Sequence, residues 1–287
     1  MNASNSLEGI RVRSIFHPSD FSEASEIAFV HALKIALVAK ARLSMLHVAA
    51  DPHPQRPHFP AVRETLARWR IIPPDSPEEV VEQLGIEVRK VVTSSSHPVE
   101  ASLRYLGKHP ADLLVLAVHQ HQGRMHWLEK PIGKPIARAA GQMTLFVPHG
   151  VEGFVARQDG TVSLRNILIP VAGNPFPGPA VETAARLIYN LQLPAGTVTL
   201  LHAGALGDAP SVSPPEGTGW TWNRVTQSGE PAETILQTAA DLGADLIIMT
   251  SEGPNSFLDS LQGSTFERIL RNTRCPVMNL PVGATPG

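Results

Sequence analysis

Two groups of residues in this chain have types and spacings that do chemistry. The first is the stretch MTSEGPNSFLDSLQGSTFERIL, Met249 to Leu270, in which Gly253 is followed by nine residues and then by Gly263 and Ser264 at the start of a predicted helix. Glycines let a backbone approach a ligand closely. A helix N-terminus offers unpaired N–H groups and a partial positive charge, which suit phosphate. The same residues also read as a capping box, with Ser264 as cap and Glu267 three residues on. Spacing alone leaves both readings open. The second group is histidine. His17, His47, His119 and His121 fall at or near the ends of apolar runs in the first half, with Asp20 close by. Histidine with carboxylate binds zinc. On an extended segment His119-x-His121 points both side chains to one side, which makes His17, His119 and His121 metal candidates. Against this, no pair shows helical i, i+4 ligand spacing, and His47 shares its repeat position with His202, which suits packing in both halves.

No catalytic set stands out. There is no G-x-S-x-G elbow and no G-x-x-x-x-G-K-[ST] loop. Cys275 precedes Pro276 at the mouth of a predicted buried strand and reads as a structural thiol. The tryptophans of GWTW, Gly219 to Trp222, read as packing residues beside a strand, with stacking on a base as the other option.

Positioning these residues takes more than one domain. The chain has 287 residues, 43% hydrophobic and 17% charged, which fits two packed domains. The net charge of -2 gives no basic excess for a nucleic-acid backbone. A single cysteine excludes an intrachain disulfide. The opening MNASNSLEGIRVR lacks the apolar core of a secretory signal, and no run approaches the length of a membrane span. A cytoplasmic protein is expected.

The chain also repeats itself. ADLLVLA (Ala111–Ala117) recurs as ADLIIMT (Ala244–Thr250), and TLFVP (Thr144–Pro148) matches VMNLP (Val277–Pro281). SIFHPSD (Ser14–Asp20) parallels NILIPVA (Asn166–Ala172), and LSMLHVA (Leu43–Ala49) parallels VTLLHAG (Val198–Gly204). Short apolar runs alternate with amphipathic helices, so each half is expected to be an α/β sandwich of about five parallel strands with right-handed crossovers. Asp20 to Lys40 predicts a helix with Asp20 as N-cap and Glu23 in capping-box spacing. GPAVETAARLIYNL does the same in the second half, with Pro179 and Glu182 near its first turn. Residues 51–84 read as an insertion over the sheet edge, a Pro/His-rich loop and then the helix AVRETLARW. Asp159-Gly160 between apolar residues predicts a hairpin joining the halves. The expected domains are 1–150 and 166–287 with a connecting hairpin at 151–165, the halves being held rigidly.

The two-half pattern resembles a tandem universal stress protein. HPSDFSEASEIAFVHALKIA with SMLHV carries the likeness in the first half, and the run from Gly229 to Pro281 carries it in the second. The resemblance implies the open parallel sheet of adenine-nucleotide alpha-hydrolase-like folds, with strand order 3-2-1-4-5. In the ATP-binding branch of that family a loop of Gly, two residues, Gly, nine residues, Gly, Ser/Thr cradles the phosphates. An Asp after the first strand holds the adenosine. Here Thr250 stands where the first Gly belongs, Gly253, Gly263 and Ser264 match, and Ala172 replaces the Asp. The implied nucleotide contacts are Pro170, Val171, Ala203, Thr250, Ser251, Gly253, Asn255, Ser256, Gly263, Ser264 and Thr265. In the first half Asp20 is present, but Ala117, Gln120, Lys130 and Pro131 occupy all four signature positions. Proline cannot offer an N–H to phosphate. At most one nucleotide site per chain is expected, in the second half, for ATP or a related adenine nucleotide with Mg. The resemblance also implies a stress-response role without fast catalysis. A nucleotide-independent interaction protein is the alternative, assembling through Leu145–Val147 and Val277–Leu280, with homodimerisation open.

Overall fold

The computed structural model describes residues 12–49, 59–118, 120–121, 124–125, 142–215, 219–252 and 265–282. They form two compact units, 12–162 and 163 onward.

The first unit contains β1 (Ser14–Pro18), α1 (Glu23–Ala39), β2 (Arg42–Ala49), α2 (Val62–Arg68), α3 (Glu78–Gln83), β3 (Val88–Ser94), α4 (Pro98–Lys108), β4 (Leu113–Val118), β5 (Gln120–His121), β6 (Arg124–Met125) and β7 (Met143–Pro148). Five strands make a parallel sheet in the order β3-β2-β1-β4-β7. β5 and β6 form a separate two-residue antiparallel ribbon. The runs LLVLAV and MTLFVP are almost wholly buried, as parallel strands covered on both faces must be.

The second unit contains β8 (Asn166–Pro170), α5 (Gly178–Asn190), β9 (Thr197–Ala203), a 3₁₀ turn (Leu206–Asp208), β10 (Thr221–Gln227), α6 (Pro231–Asp241), β11 (Leu246–Glu252), α7 (Thr265–Asn272) and β12 (Val277–Val282). Its sheet is parallel in the order β10-β9-β8-β11-β12. Both units therefore have the strand order 3-2-1-4-5 predicted for them.

A device common to both units starts the first strand. Asp112, just before β4, accepts hydrogen bonds at Oδ2 from Arg13 N (2.7 Å) and Ser14 N (2.9 Å). Asp245, just before β11, does the same for Arg165 N (2.7 Å) and Asn166 N (2.8 Å). These are the aspartates of the repeated Ala-Asp pair. They satisfy backbone donors at the amino end of the central strand with a charged acceptor.

Helix α1 corrects one expectation. Its N-cap is Ser22, whose side chain accepts from Ser25 N, and not Asp20. The reason is local backbone. Phe21 lies in the left-handed region at φ 62, which delays the first helical residue to Glu23. The Asp20 carboxylate instead accepts from Ser22 N (3.0 Å) and Ser22 Oγ (2.6 Å). In α5, Glu182 lies beyond the first turn and pairs with Arg186 at 3.7 Å.

The insertion carries two helices, α2 and α3, where the sequence predicts one. The segment expected to join the halves packs within the first unit. Val155 and Val162 form an antiparallel bridge, and Thr161 N donates to Asp159 Oδ1 at 2.8 Å, as a turn at Asp159-Gly160 requires. Gly160 has φ +68, and a Cβ there would lie 2.5 Å from the Trp69 ring. Trp69 Nε1 donates to Arg157 O at 3.1 Å, and Arg68 Nε donates to the same carbonyl at 3.0 Å. The turn is thus sealed against the C-terminal end of α2.

Buried histidine completes this contact. His31 on α1 is fully buried and its Nδ1–H donates to Ile27 O at 2.8 Å. A carbonyl only accepts, so Nε2 is the lone-pair nitrogen. It accepts from Phe154 N at 3.0 Å and Val155 N at 3.3 Å. The Phe154 ring meets the imidazole edge to face, with centroids 4.7 Å apart.

Candidate functional site

In an open parallel sheet, ligands bind beyond the carboxyl ends of the strands, where strand order reverses. In the second unit that point lies between β8 and β11, which are paired through Leu246↔Ile167 and Ile247↔Leu168. β9 runs on the other side of β8. Several of the predicted contacts do come together at this end. Pro170 ends β8 and Val171 follows it, buried, donating its N–H to Leu201 O at 2.8 Å. Ala203 ends β9, half-buried, next to Gly204, whose N–H donates to Gln227 O at 2.9 Å. Thr250 and Ser251 lie near the end of β11, Thr250 buried and Ser251 half-buried. Thr265 is the first residue of α7 and is half-buried. Gly253, Asn255, Ser256, Gly263 and Ser264 lie outside the described residues.

The residue at the position of the family's acid, Ala172, is exposed just after Val171. Its side chain is a methyl group and offers no carboxylate at that position.

One site-lining feature was not read from the sequence. His202 on β9 donates Nδ1–H to Val171 O at 3.1 Å, so the histidine fixes the carbonyl that turns the chain out of β8. Its Nε2 is buried and has no partner among the described residues. A Cβ on Gly204 would stand 2.7 Å from that nitrogen. The repeat did carry a signal for this role. His47 on β2 donates Nδ1–H to Ser19 O at 2.8 Å, the same bond at the same place in the first unit. The expected packing role of this histidine pair is therefore what both units display.

The carboxyl end of the first unit is built differently. Phe21 stacks on His47 with centroids 4.0 Å apart, and Phe59 meets Phe21 edge to face at 5.5 Å. His17 at the end of β1 is wholly buried. Its Nδ1–H donates to Val115 O at 3.0 Å, and its Nε2 lies 3.3 Å from Ser25 Oγ. Burial holds its pKa down at about 4, against the hydrogen bonds and the Asp20 charge that act to raise it. Both ring nitrogens of this metal candidate are thus engaged inside the core. His121 lies in β5, its backbone opposite Arg124, and His119 is outside the described residues. Among the described residues no group of three or more His, Cys, Asp or Glu is placed to hold a metal ion.

The remaining candidates are structural. Cys275 is buried, and desolvation raises its thiol pKa to about 11. Trp220 is buried, lies against Gly196 and donates Nε1–H to Leu193 O at 3.3 Å. Among the described residues no helix is long and apolar enough to cross a membrane.

Comparison with known proteins agrees with this geometry. A solved universal stress protein from Archaeoglobus fulgidus DSM 4304 is 17% identical, with a TM-score of 0.61 over 94% of this chain and 98% of that one. A protein of unknown function from Pseudomonas aeruginosa PAO1 is 13% identical, with a TM-score of 0.56 over 97% and 95% of the two chains. The cytoplasmic domain of a prokaryotic cation chloride cotransporter is 12% identical, with a TM-score of 0.52 over 96% and 97%. At these identities the likeness establishes the fold. No curated protein sequence matches the chain. The model of the universal stress protein family matches residues 12–148 and 216–281, one stretch in each unit, and the chain belongs to that family.

Proposed function

We propose that the second unit binds ATP or a related adenine nucleotide, with Mg, and that the chain serves as a stress-response or sensing module without fast catalysis. The observation that carries this reading is where the flanking elements end and begin: β11 ends at Glu252 on the carboxyl side of the sheet, next to β8 where strand order reverses, and α7 begins at Thr265, so the glycine-bearing residues 253–264 connect these two points in sequence. Backbone N–H groups of Gly253, Asn255, Ser256, Gly263 and Ser264 would take the phosphates, flanked by Thr250, Ser251 and Thr265. Pro170, Val171 and Ala203 would line the adenosine. Calorimetric titration with Mg-ATP tests this. Wild type is expected to bind at millimolar concentration or below, and Gly263→Asp, which places a carboxylate in the cradle, is expected to abolish binding. Wild type that takes up no ATP at millimolar concentration overturns the reading.

Ala172 favours a second reading, since the site lacks the acid that would hold a ribose. In that case the protein works without nucleotide, through assembly by way of Leu145–Val147 and Val277–Leu280. A wild type that ignores ATP and changes its association state when either strand receives a charge would support this.

A further inference from the structure

His202 carries an acceptor that the fold leaves unused. Its Nδ1–H is committed to Val171 O at 3.1 Å. A neutral imidazole with its proton on Nδ1 has its lone pair on Nε2. His202 is only 8% exposed, and no group among the described residues donates to Nε2. Buried polar atoms are nearly always paired, so this one calls for a partner.

The needs of the strand exit do not account for it. His47 makes the equivalent bond, to Ser19 O at 2.8 Å, while only half-buried. The second unit keeps the bond and withdraws the ring from water. The backbone beside the ring is also bare. A Cβ on Gly204 would stand 2.7 Å from Nε2, too close for carbon, whereas Ala49 holds that repeat position in the first unit. Glycine at 204 is thus what lets the imidazole lie where it does.

The place of this acceptor says which part of a nucleotide would meet it. Residues 253–264 follow β11, and β9 lies on the far side of β8, two strand spacings or about 10 Å away. A nucleotide with its phosphates at 253–264 that crosses β8 brings its base over the end of β9. Ala172, just past β8, offers no side-chain acceptor there. The 6-amino group of adenine is a hydrogen-bond donor. We propose that His202 Nε2 accepts a hydrogen bond from that amino group, which makes His202 the residue that selects adenine in the second unit. This rests on the nucleotide reading above and adds to it the group that recognises the base.

Calorimetric titration of the full chain with matched Mg-triphosphates tests this: ATP, purine riboside triphosphate (ATP without the 6-amino group) and 2′-deoxy-ATP. Wild type is expected to bind ATP about tenfold more tightly than purine riboside triphosphate, and 2′-deoxy-ATP like ATP. His202→Asn keeps an N–H donor for Val171 O and has nothing at the position of Nε2. It is expected to weaken ATP about tenfold and to bind ATP and purine riboside triphosphate alike, with far-UV circular dichroism unchanged. A merely structural role for His202 would weaken both triphosphates in parallel and preserve their ratio. Gly204→Ala, which crowds Nε2 without removing the Val171 bond, is expected to narrow the same ratio. Wild type that binds ATP and purine riboside triphosphate equally overturns the proposal and leaves the nucleotide reading standing. So does loss of the 2′-hydroxyl costing as much as loss of the amine, or a folded His202→Asn or Gly204→Ala that keeps the wild-type ratio. Wild type that takes up no ATP at millimolar concentration overturns both.

Discussion

Replacing His31 with leucine removes a neutral imidazole that serves two buried backbone donors at once. Phe154 and Val155 are 0% and 1% exposed, so neither N–H can turn to water when its acceptor is lost. A buried donor left unpaired costs about 1–3 kcal/mol. Two of them, with the lost edge-to-face contact to Phe154, come to roughly 2–6 kcal/mol. That is a large share of the roughly 5–15 kcal/mol by which domains are stable. The assay is native-state hydrogen exchange with urea unfolding of the first unit. The amides of Phe154 and Val155 are expected to lose protection selectively, and the unfolding midpoint to fall. A pH arm separates this clamp from simple packing. Protonating Nε2 would put a third hydrogen among two N–H donors, and burial holds the His31 pKa down at about 4, below the ordinary 6.5 of the unfolded chain. The unfolded state therefore takes the proton first. The contribution of His31 is whole above pH 6.5, falls as pH drops from 6.5 towards about 4, and levels off below that. By linkage it loses on the order of 3 kcal/mol across this window. His17, also held at about 4, titrates in the same sense. His31→Leu should make the loss of stability over this window shallower by its own share. A variant with wild-type midpoint, wild-type amide protection and an unchanged pH slope would refute the clamp.

Two further perturbations address other parts of the structure. Asp245→Ala removes the acceptor of Arg165 N and Asn166 N, and Asp112→Ala removes that of Arg13 N and Ser14 N. Each is expected to lower stability by about 1–3 kcal/mol, read as a urea midpoint shift; Asp112 and Asp245 altering stability by unlike amounts would contradict their equivalence. Cys275, buried with its thiol pKa raised to about 11, is expected to resist an aromatic disulfide reagent at pH 8 in the native protein and to react fully in denaturant.

The repeat was legible because it is written in buried strands. ADLLVLA and ADLIIMT must stay apolar to lie inside a covered parallel sheet, and the strand order follows from how such units close. The work of Asp112 was not legible, because its partners Arg13 and Ser14 are 99 and 98 residues away. His31 was invisible for the same reason: it sits in an apolar helical run, and its partners are backbone amides 123 and 124 residues on. The choice of Ser22 over Asp20 as cap turned on one dihedral, that of Phe21, and both residues are good caps by type. Helix α3 has six residues and buries one of them, Val81, too little to show a period. At the candidate site, the strand ends holding Pro170, Val171, Ala203 and Thr250 were readable from the repeat. The tie between His202 and Val171 O depends on strands meeting side by side, which spacing along the chain does not encode.

Comparing the units at this end of the sheet separates the needs of the fold from the needs of a ligand. Both keep a histidine on the second strand bonded to the carbonyl just past the first, His47 to Ser19 O and His202 to Val171 O. That bond shapes the strand exit in both units, although the residues around the exit differ. In the first unit Phe21, at φ 62, lays its ring on His47 and meets Phe59, so aromatic carbon covers the strand exit. In the second unit Gly173 takes the repeat position of Phe21 and Ala172 that of Asp20, both exposed, and Gly204, at the position of Ala49, leaves free the space that a Cβ would take 2.7 Å from His202 Nε2. Filling that space is therefore a sharper probe of the second unit than deleting a contact. Gly204→Ala would crowd His202, and it should perturb Mg-ATP binding if a nucleotide occupies this end. A bulk change at the corresponding end of the first unit, Phe21→Ala, should leave nucleotide binding where it was. Equal sensitivity of ATP binding to both changes would mean that the two strand exits are not divided between packing and ligand.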